Sequence, residues 1–272
     1  MGAGALPLLA RNLAKAIPDT PLFVKTYFDP SYQAHGFLYN GSSYTTLDVP
    51  SAFGAVFGTT ALGISGNNIV GTYTDAAQVQ HGFLYNGFSY TVLSDPLAGT
   101  GLFQGTIASG IDGNNVVGTY IDSSGATHGF LFNGVSYKTI DDPLAGTPAF
   151  QVQPGTVVNG ISGNNIVGAY IDSSDATHGF LYNGSTYVTL DDPLAGFDSD
   201  YISVVSGTDG NNITGSYLGS DGRDHSFIAT IPEPSSNALF GIGALGLAVV
   251  ARRRLRKRSL MQSPDLWRIK TL

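Results

Sequence analysis

All five histidines of this 272-residue chain open one recurring phrase. It reads HGFLYNG from His35 and again from His81, HGFLFNG from His128, HGFLYNG from His178, and fades to HSFIATI from His225. An imidazole titrates near neutral pH and binds metals, so a ring of them is a candidate metal site or pH sensor. One histidine per repeat does not by itself bring two within coordination reach. A repeated fold does have a use for a repeated ring that fixes a turn by hydrogen bonding, and His35, His81, His128, His178 and His225 are therefore expected to be repeat-defining structural residues.

The carboxylates come next. Asp141/Asp142 and Asp191/Asp192 stand in pairs before Pro-Leu-Ala-Gly, and two carboxylates flanking a sugar are what a glycosidase needs. Neighbours along a strand point to opposite faces, and Asp before Pro has a plain use in turns, so no catalytic residue is assigned. Loop aspartates, Asp122 and Asp172 foremost, are candidates for calcium, a hard cation that favours oxygen ligands. Tight turns use the same residues, and no EF-hand spacing is present. No Gly-rich phosphate loop, Ser–His–Asp pattern or metal-ligand cluster is found. The expectation is a non-enzymatic protein without a cofactor, calcium being the one candidate; a propeller enzyme acting on glycans and an intracellular repeat scaffold are the alternatives.

The elements that hold these residues repeat every 46 to 50 positions. Aligned on the histidine, 35–50, 81–96, 128–143 and 178–193 match one another, as do ALGISGNNIVGTYTD (61–75), ASGIDGNNVVGTYID (108–122), VNGISGNNIVGAYID (158–172) and VSGTDGNNITGSYLG (205–219). Each unit reads as four strands. HGFLY meets SYTTL across Asn-Gly, the signal of a type I′ hairpin; the strand around GIS meets NIVGTYTD across Gly-Asn. Apolar residues run together instead of alternating, so both sheet faces must be covered. Tandem four-stranded units covered on both faces suggest propeller blades. The fold expected is all-β and β-propeller-like with four to five blades, over 22–230, beginning on a fourth-type strand and ending on a first-type strand. An open β-array is the alternative. These units resemble the HAF repeat, a bacterial extracellular repeat family named for His-Ala-Phe, with His-Gly-Phe here in four copies and His-Ser-Phe in the last. The resemblance implies export and carries no established activity.

Composition narrows the partners. There is no cysteine, and hence no disulfide framework or thiolate site. Eight of the 13 basic residues lie in the last 21 positions, leaving five against 19 acidic residues in 1–251. That acidic body excludes nucleic acid as a partner, because phosphates need a basic face.

The sole glutamate, Glu233, lies between Pro232 and Pro234. An uninterrupted apolar run follows from Ala238 to Ala251, and then the cluster Arg252, Arg253, Arg254, Arg256, Lys257, Arg258. This is a stop-transfer pattern, predicting a single C-terminal transmembrane helix over 238–251. As a helix it spans roughly 21 Å, short of the roughly 30 Å hydrocarbon core, so the arginines must snorkel. The positive-inside rule leaves the basic end and a tail (259–272) cytoplasmic, with the repeats outside. The order Pro-Glu-Pro, apolar helix, arginines resembles the PEP-CTERM sorting domain of Gram-negative bacteria that make exopolysaccharide. The resemblance implies processing of the sorting signal (231–258) by an exosortase-like membrane protease, and exopolysaccharide or other envelope proteins as partners. Residues 1–21, with a short apolar patch broken by Arg11, do not read as a signal peptide.

Overall fold

The computed structural model describes residues 22–50, 54–146, 155–195 and 203–231. The N-terminal extension (1–21), the sorting signal Pro232–Pro234, the apolar run 238–251, the basic cluster 252–258 and the tail 259–272 lie outside the described residues. Among the described residues no helix is long and apolar enough to cross a membrane.

Every described element is a strand, and the strands fall into five antiparallel blades. Blade 1 holds β1 (Phe23–Phe28), β2 (Ala34–Tyr39) and β3 (Tyr44–Leu47). Blade 2 holds β4 (Ala55–Ser65), β5 (Asn68–Asp75), β6 (Gln80–Tyr85) and β7 (Tyr90–Leu93). Blade 3 holds β8 (Gly105–Asp112), β9 (Asn115–Ile121), β10 (Thr127–Phe132) and β11 (Tyr137–Thr139). Blade 4 holds β12 (Thr156–Ser162), β13 (Asn165–Ile171), β14 (Thr177–Tyr182) and β15 (Tyr187–Leu190). Blade 5 holds β16 (Ser203–Asp209), β17 (Asn212–Leu218) and β18 (Asp224–Thr230). The array thus opens on a fourth-type strand and closes on a first-type one. Consecutive blades pack against each other, while no packing of comparable extent joins blade 1 to blade 5 among the described residues.

The two hairpin signals fold differently. At Gly66, Gly113, Gly163 and Gly210 the backbone has φ of 57° or 58°, and Gly at the first central position of a two-residue loop is the II′ arrangement. The Asn-Gly turns are not type I′. Only the glycines have positive φ there (Gly41 at 92°, for example), and the strands are joined by four residues, with Tyr39 opposite Tyr44. The asparagine side chain explains the change: Asn40 Oδ1 accepts from the backbone N–H groups of Ser42 (3.1 Å) and Ser43 (2.8 Å), an Asx turn that substitutes for a second positive φ.

The core lies between blades. Val70 and Leu93 of blade 2 meet Ala108, Ile111, Val116, Tyr120 and Phe130 of blade 3; Val117 and Ile140 of blade 3 meet Val158, Ile161, Ile166, Tyr170, Phe180 and Tyr182 of blade 4. Blades 2 and 3 thus each turn aliphatic residues forward onto an aromatic-rich backward face of the next blade. Phe83, Phe130 and Phe180 are fully buried, and a shell of such contacts is the main stabilising force of the array.

The inner strands β4, β8, β12 and β16 pack side by side, and two glycine positions let them. Each strand carries a bulge just before a glycine, with register shifts at Ala61/Gly63, Ala108/Gly110, Val158/Gly160 and Val205/Gly207. A Cβ at Gly63 would lie 3.1 Å from the Cα of Gly110, one at Gly110 3.2 Å from that of Gly160, and one at Gly160 3.3 Å from that of Gly207. Glycine meets glycine at each junction because backbone meets backbone. At the strand entrance, Gly58, Gly105 and Gly155 have positive φ, and a Cβ there would collide with the preceding blade at Ala34, Gln80 and Thr127. Single-residue parallel bridges join those same pairs.

Candidate functional site

A common set of side chains gathers at each histidine. The fourth-type strand supplies a tyrosine, eight residues earlier, whose ring stacks on the imidazole. Centroid distances are 5.1 Å for Tyr27–His35 and Tyr73–His81, 4.9 Å for Tyr120–His128, 5.1 Å for Tyr170–His178 and 5.2 Å for Tyr217–His225. The turn leaving that strand supplies an aspartate six residues before the histidine. His81 Nε2–H donates to Asp75 at 3.0 Å, and His178 Nε2 lies 3.3 Å from Asp172; Asp29 and Asp122 stand 3.5 Å from the Nε2 atoms of His35 and His128. In blade 5, Asp221 takes this role at 3.1 Å. The end of the second-type strand supplies another carboxylate, thirteen residues after the histidine: Asp48 at 3.0 Å, Asp141 at 2.8 Å and Asp191 at 2.9 Å, all on Nδ1. Blade 2 has Ser94 at that position.

The turn aspartates carry a second load. Asp122 Oδ1 accepts from the N–H groups of Ser124 (2.8 Å) and Ala126 (2.9 Å) and from the Ser124 hydroxyl (2.7 Å). Asp172 repeats this with Ser174 and Ala176. The Ser124 hydroxyl bond holds the Asp122 carboxyl below the usual range. For Asp75 the His81 bond is the main cause of the same shift, and for Asp221 it is the His225 bond. The two calcium candidates, Asp122 and Asp172, thus serve as turn caps and imidazole partners. Among the described residues no group of three or more His, Cys, Asp or Glu is arranged to hold a metal.

His178 faces a carboxylate from each ring nitrogen, an arrangement that two N–H donors fill only as imidazolium. Its pKa is accordingly raised, chiefly by the bond to Asp191, against the opposing effect of burial.

The adjacent aspartates Asp141 and Asp142, just past the end of β11, are parted. Asp141 turns to His128 in its own blade, while Asp142 turns inward. Asp142 is 3 % exposed and Asp95, its counterpart in blade 2, is 4 % exposed. Their backbone N–H groups donate to Thr156 and Thr106 of the next blade, both at 2.9 Å. One carboxylate oxygen of each accepts from the N–H two residues on, Leu144 or Leu97, at 2.9 Å. Burial raises both pKa values. Asp141 and Asp142 therefore lie in different surroundings, one on the imidazole and one in the blade junction. The tyrosine stack and the carboxylate thirteen residues after the histidine were not singled out as imidazole partners from sequence; their fixed offsets across the aligned repeats are the signal that could have found them.

The comparisons with known proteins bear mainly on the C-terminus. Residues 230–254 match the PEP-CTERM protein-sorting motif, so the chain carries the C-terminal sorting signal of exported proteins. No curated protein matches the sequence. Among solved structures, a single-site mutant of the Aleuria aurantia lectin in complex with alpha-methyl-L-fucoside aligns at 15% identity over 79% of each chain, TM-score 0.46. The Aleuria aurantia lectin described as a six-bladed β-propeller gives a TM-score of 0.44 at 15% identity over 79% of each chain. SapL1 lectin with alpha methyl fucoside gives 0.35 at 12% identity, over 79% of this chain and 86% of that one. These likenesses are too slight to carry an argument about ring size or ligand.

Proposed function

We propose that the chain is a non-enzymatic cell-surface or extracellular-matrix protein whose HAF-like repeats are exported and sorted through the C-terminal signal. In this reading an exosortase-like protease recognises Pro232, Glu233 and Pro234. The 238–251 helix holds the precursor in the inner membrane, and Arg252, Arg253, Arg254, Arg256, Lys257 and Arg258 stop its transfer on the cytoplasmic side. After cleavage the five blades remain outside, among exopolysaccharide or other envelope proteins. The observation that carries the reading is the sorting motif matched over 230–254. The non-enzymatic part is supported by the histidines and outer aspartates, which bond to one another within each blade.

The test is the intact mass of the protein recovered from the envelope or medium of its own host. A C-terminus near Pro232–Pro234 is expected. A chain still ending at Leu272 in the cytoplasm overturns the reading.

A further inference from the structure

Two of the blade junctions contain a group whose burial the packing alone does not explain. Asp142 ends blade 3 and is wedged against blade 4; one of its carboxylate oxygens accepts from Leu144, and the other, Oδ2, is buried without a hydrogen-bond partner. Asp95 occupies the same place between blades 2 and 3 and is as deeply buried. The corresponding residue between blades 1 and 2 is Val49, 5 % exposed and part of the apolar core there. The site thus accepts an apolar side chain, and Val49 shows what the junction looks like without a titratable group.

We propose that the junctions between blades 2 and 3 and between blades 3 and 4 are proton-operated locks, in which Asp95 and Asp142 hold the blades together as neutral acids and loosen them as carboxylates. Burial makes the charged form of either acid costly and the protonated form much less so, and at Asp142 the unpartnered Oδ2 adds to the cost. The groups that face Asp142 from blade 4 are Tyr170 on β13, His178 on β14 and Tyr187 on β15. Asp172 and Asp191 hold His178 from the far side. On the same junction, Lys138 of β11 donates to the Tyr182 hydroxyl at 3.0 Å. Asp95 is faced from blade 3 by Tyr120, His128 and Tyr137. The imidazole opposite each acid is already engaged by carboxylates of its own blade, so it offers Asp95 or Asp142 only distant compensation. Burial raises the folded pKa of both acids above the unfolded value. Their contribution is therefore full below the ordinary carboxylate range and is lost as pH rises through the raised value. These two junctions tighten in acid and loosen toward neutrality, against the opposite trend of the turn aspartates whose carboxyls are held low, and independently of whether the sorting reading holds.

The experiment compares the full-length chain with Asp142→Asn and Asp95→Asn by thermal unfolding and by hydrogen exchange of β8 and β12, at pH 4 and pH 7. At pH 7 each variant is expected to melt higher by about 2–4 °C for each fivefold or so gain in folding equilibrium, with slower exchange at its own junction. At pH 4 the variants and the parent should coincide. Val49→Asp should introduce the same pH dependence at the junction that lacks it. Variants whose pH dependence equals the parent's, or a loosening spread evenly over all junctions, overturn the proposal. Should Val49→Asp fail to fold, the two asparagine variants decide the matter alone.

Discussion

Blades 3 and 5 share a backward face and differ on the forward one. In blade 5, Val205, Ile213 and Tyr217 are buried against blade 4, as their counterparts Ala108, Val116 and Tyr120 are buried in the cluster between blades 2 and 3. On the forward side blade 3 presents Val117, fully buried in the next junction, where blade 5 presents Thr214, which is exposed. At the hairpin tip Asp112 accepts from Gly163 of the next blade at 2.6 Å, whereas Asp209 at the same position is exposed. Blade 5 is an interior blade with its front made polar. Terminal repeats in stacked arrays need such a face to stay soluble, and here a few substitutions supply it.

The widest gap between the two blades should appear at the phenylalanine. Phe130→Ala empties a fully buried site and should cost about 3–5 kcal/mol. Phe227→Ala, half-buried, should cost about 1–2 kcal/mol. Urea unfolding measures both, and equal losses would erase the distinction. A smaller contrast lies in the inner strand. Gly110→Ala sets a methyl against the Cα of Gly160 and should cost about 1–3 kcal/mol by overpacking. Gly207→Ala meets nothing closer than the Thr214 hydroxyl at 3.8 Å and should stay within about 0.5 kcal/mol.

The smallest effect is electrostatic. His178 is titrated upward by Asp191, so its contribution is complete below the ordinary imidazole range and is lost as pH rises through the raised value. Asp191→Asn should lower the His178 midpoint in an NMR titration. It should destabilise the protein in mild acid and leave it unchanged at alkaline pH. Asp221→Asn touches the pair at His225, whose ring is 41% exposed against 16% for His178. Its effect should be smaller and salt-sensitive. A His178 midpoint indifferent to residue 191 would remove the charge pair from the account.

The strand order and phase were legible because the repeats align residue for residue. FVKTYF over 23–28 matches IVGTYT in sequence alone, and β1 and β18 begin and end the described array where that alignment puts them. The Asn-Gly turns depart from the type I′ expectation, since backbone preference points to two positive φ values while the Asn40 side chain offers its own hydrogen bonds instead. The imidazole partners were obscured for a different reason. Asp48 lies thirteen residues from His35, on the far side of a hairpin, so only the pairing of β2 with β3 brings them together. The burial of Asp142 was the least readable: it depends on Thr156 in the following blade, across a connection whose length varies from repeat to repeat.

The glycine-to-glycine contact from Gly63 to Gly207 has a consequence for how such a chain grows. A surface that meets its own copy through bare backbone places no demand on which copy it meets. An interior unit can be duplicated or deleted whole, and the two newly adjoining units still fit. Length can then change by tandem copying in the gene, with only the polar last unit kept at its end.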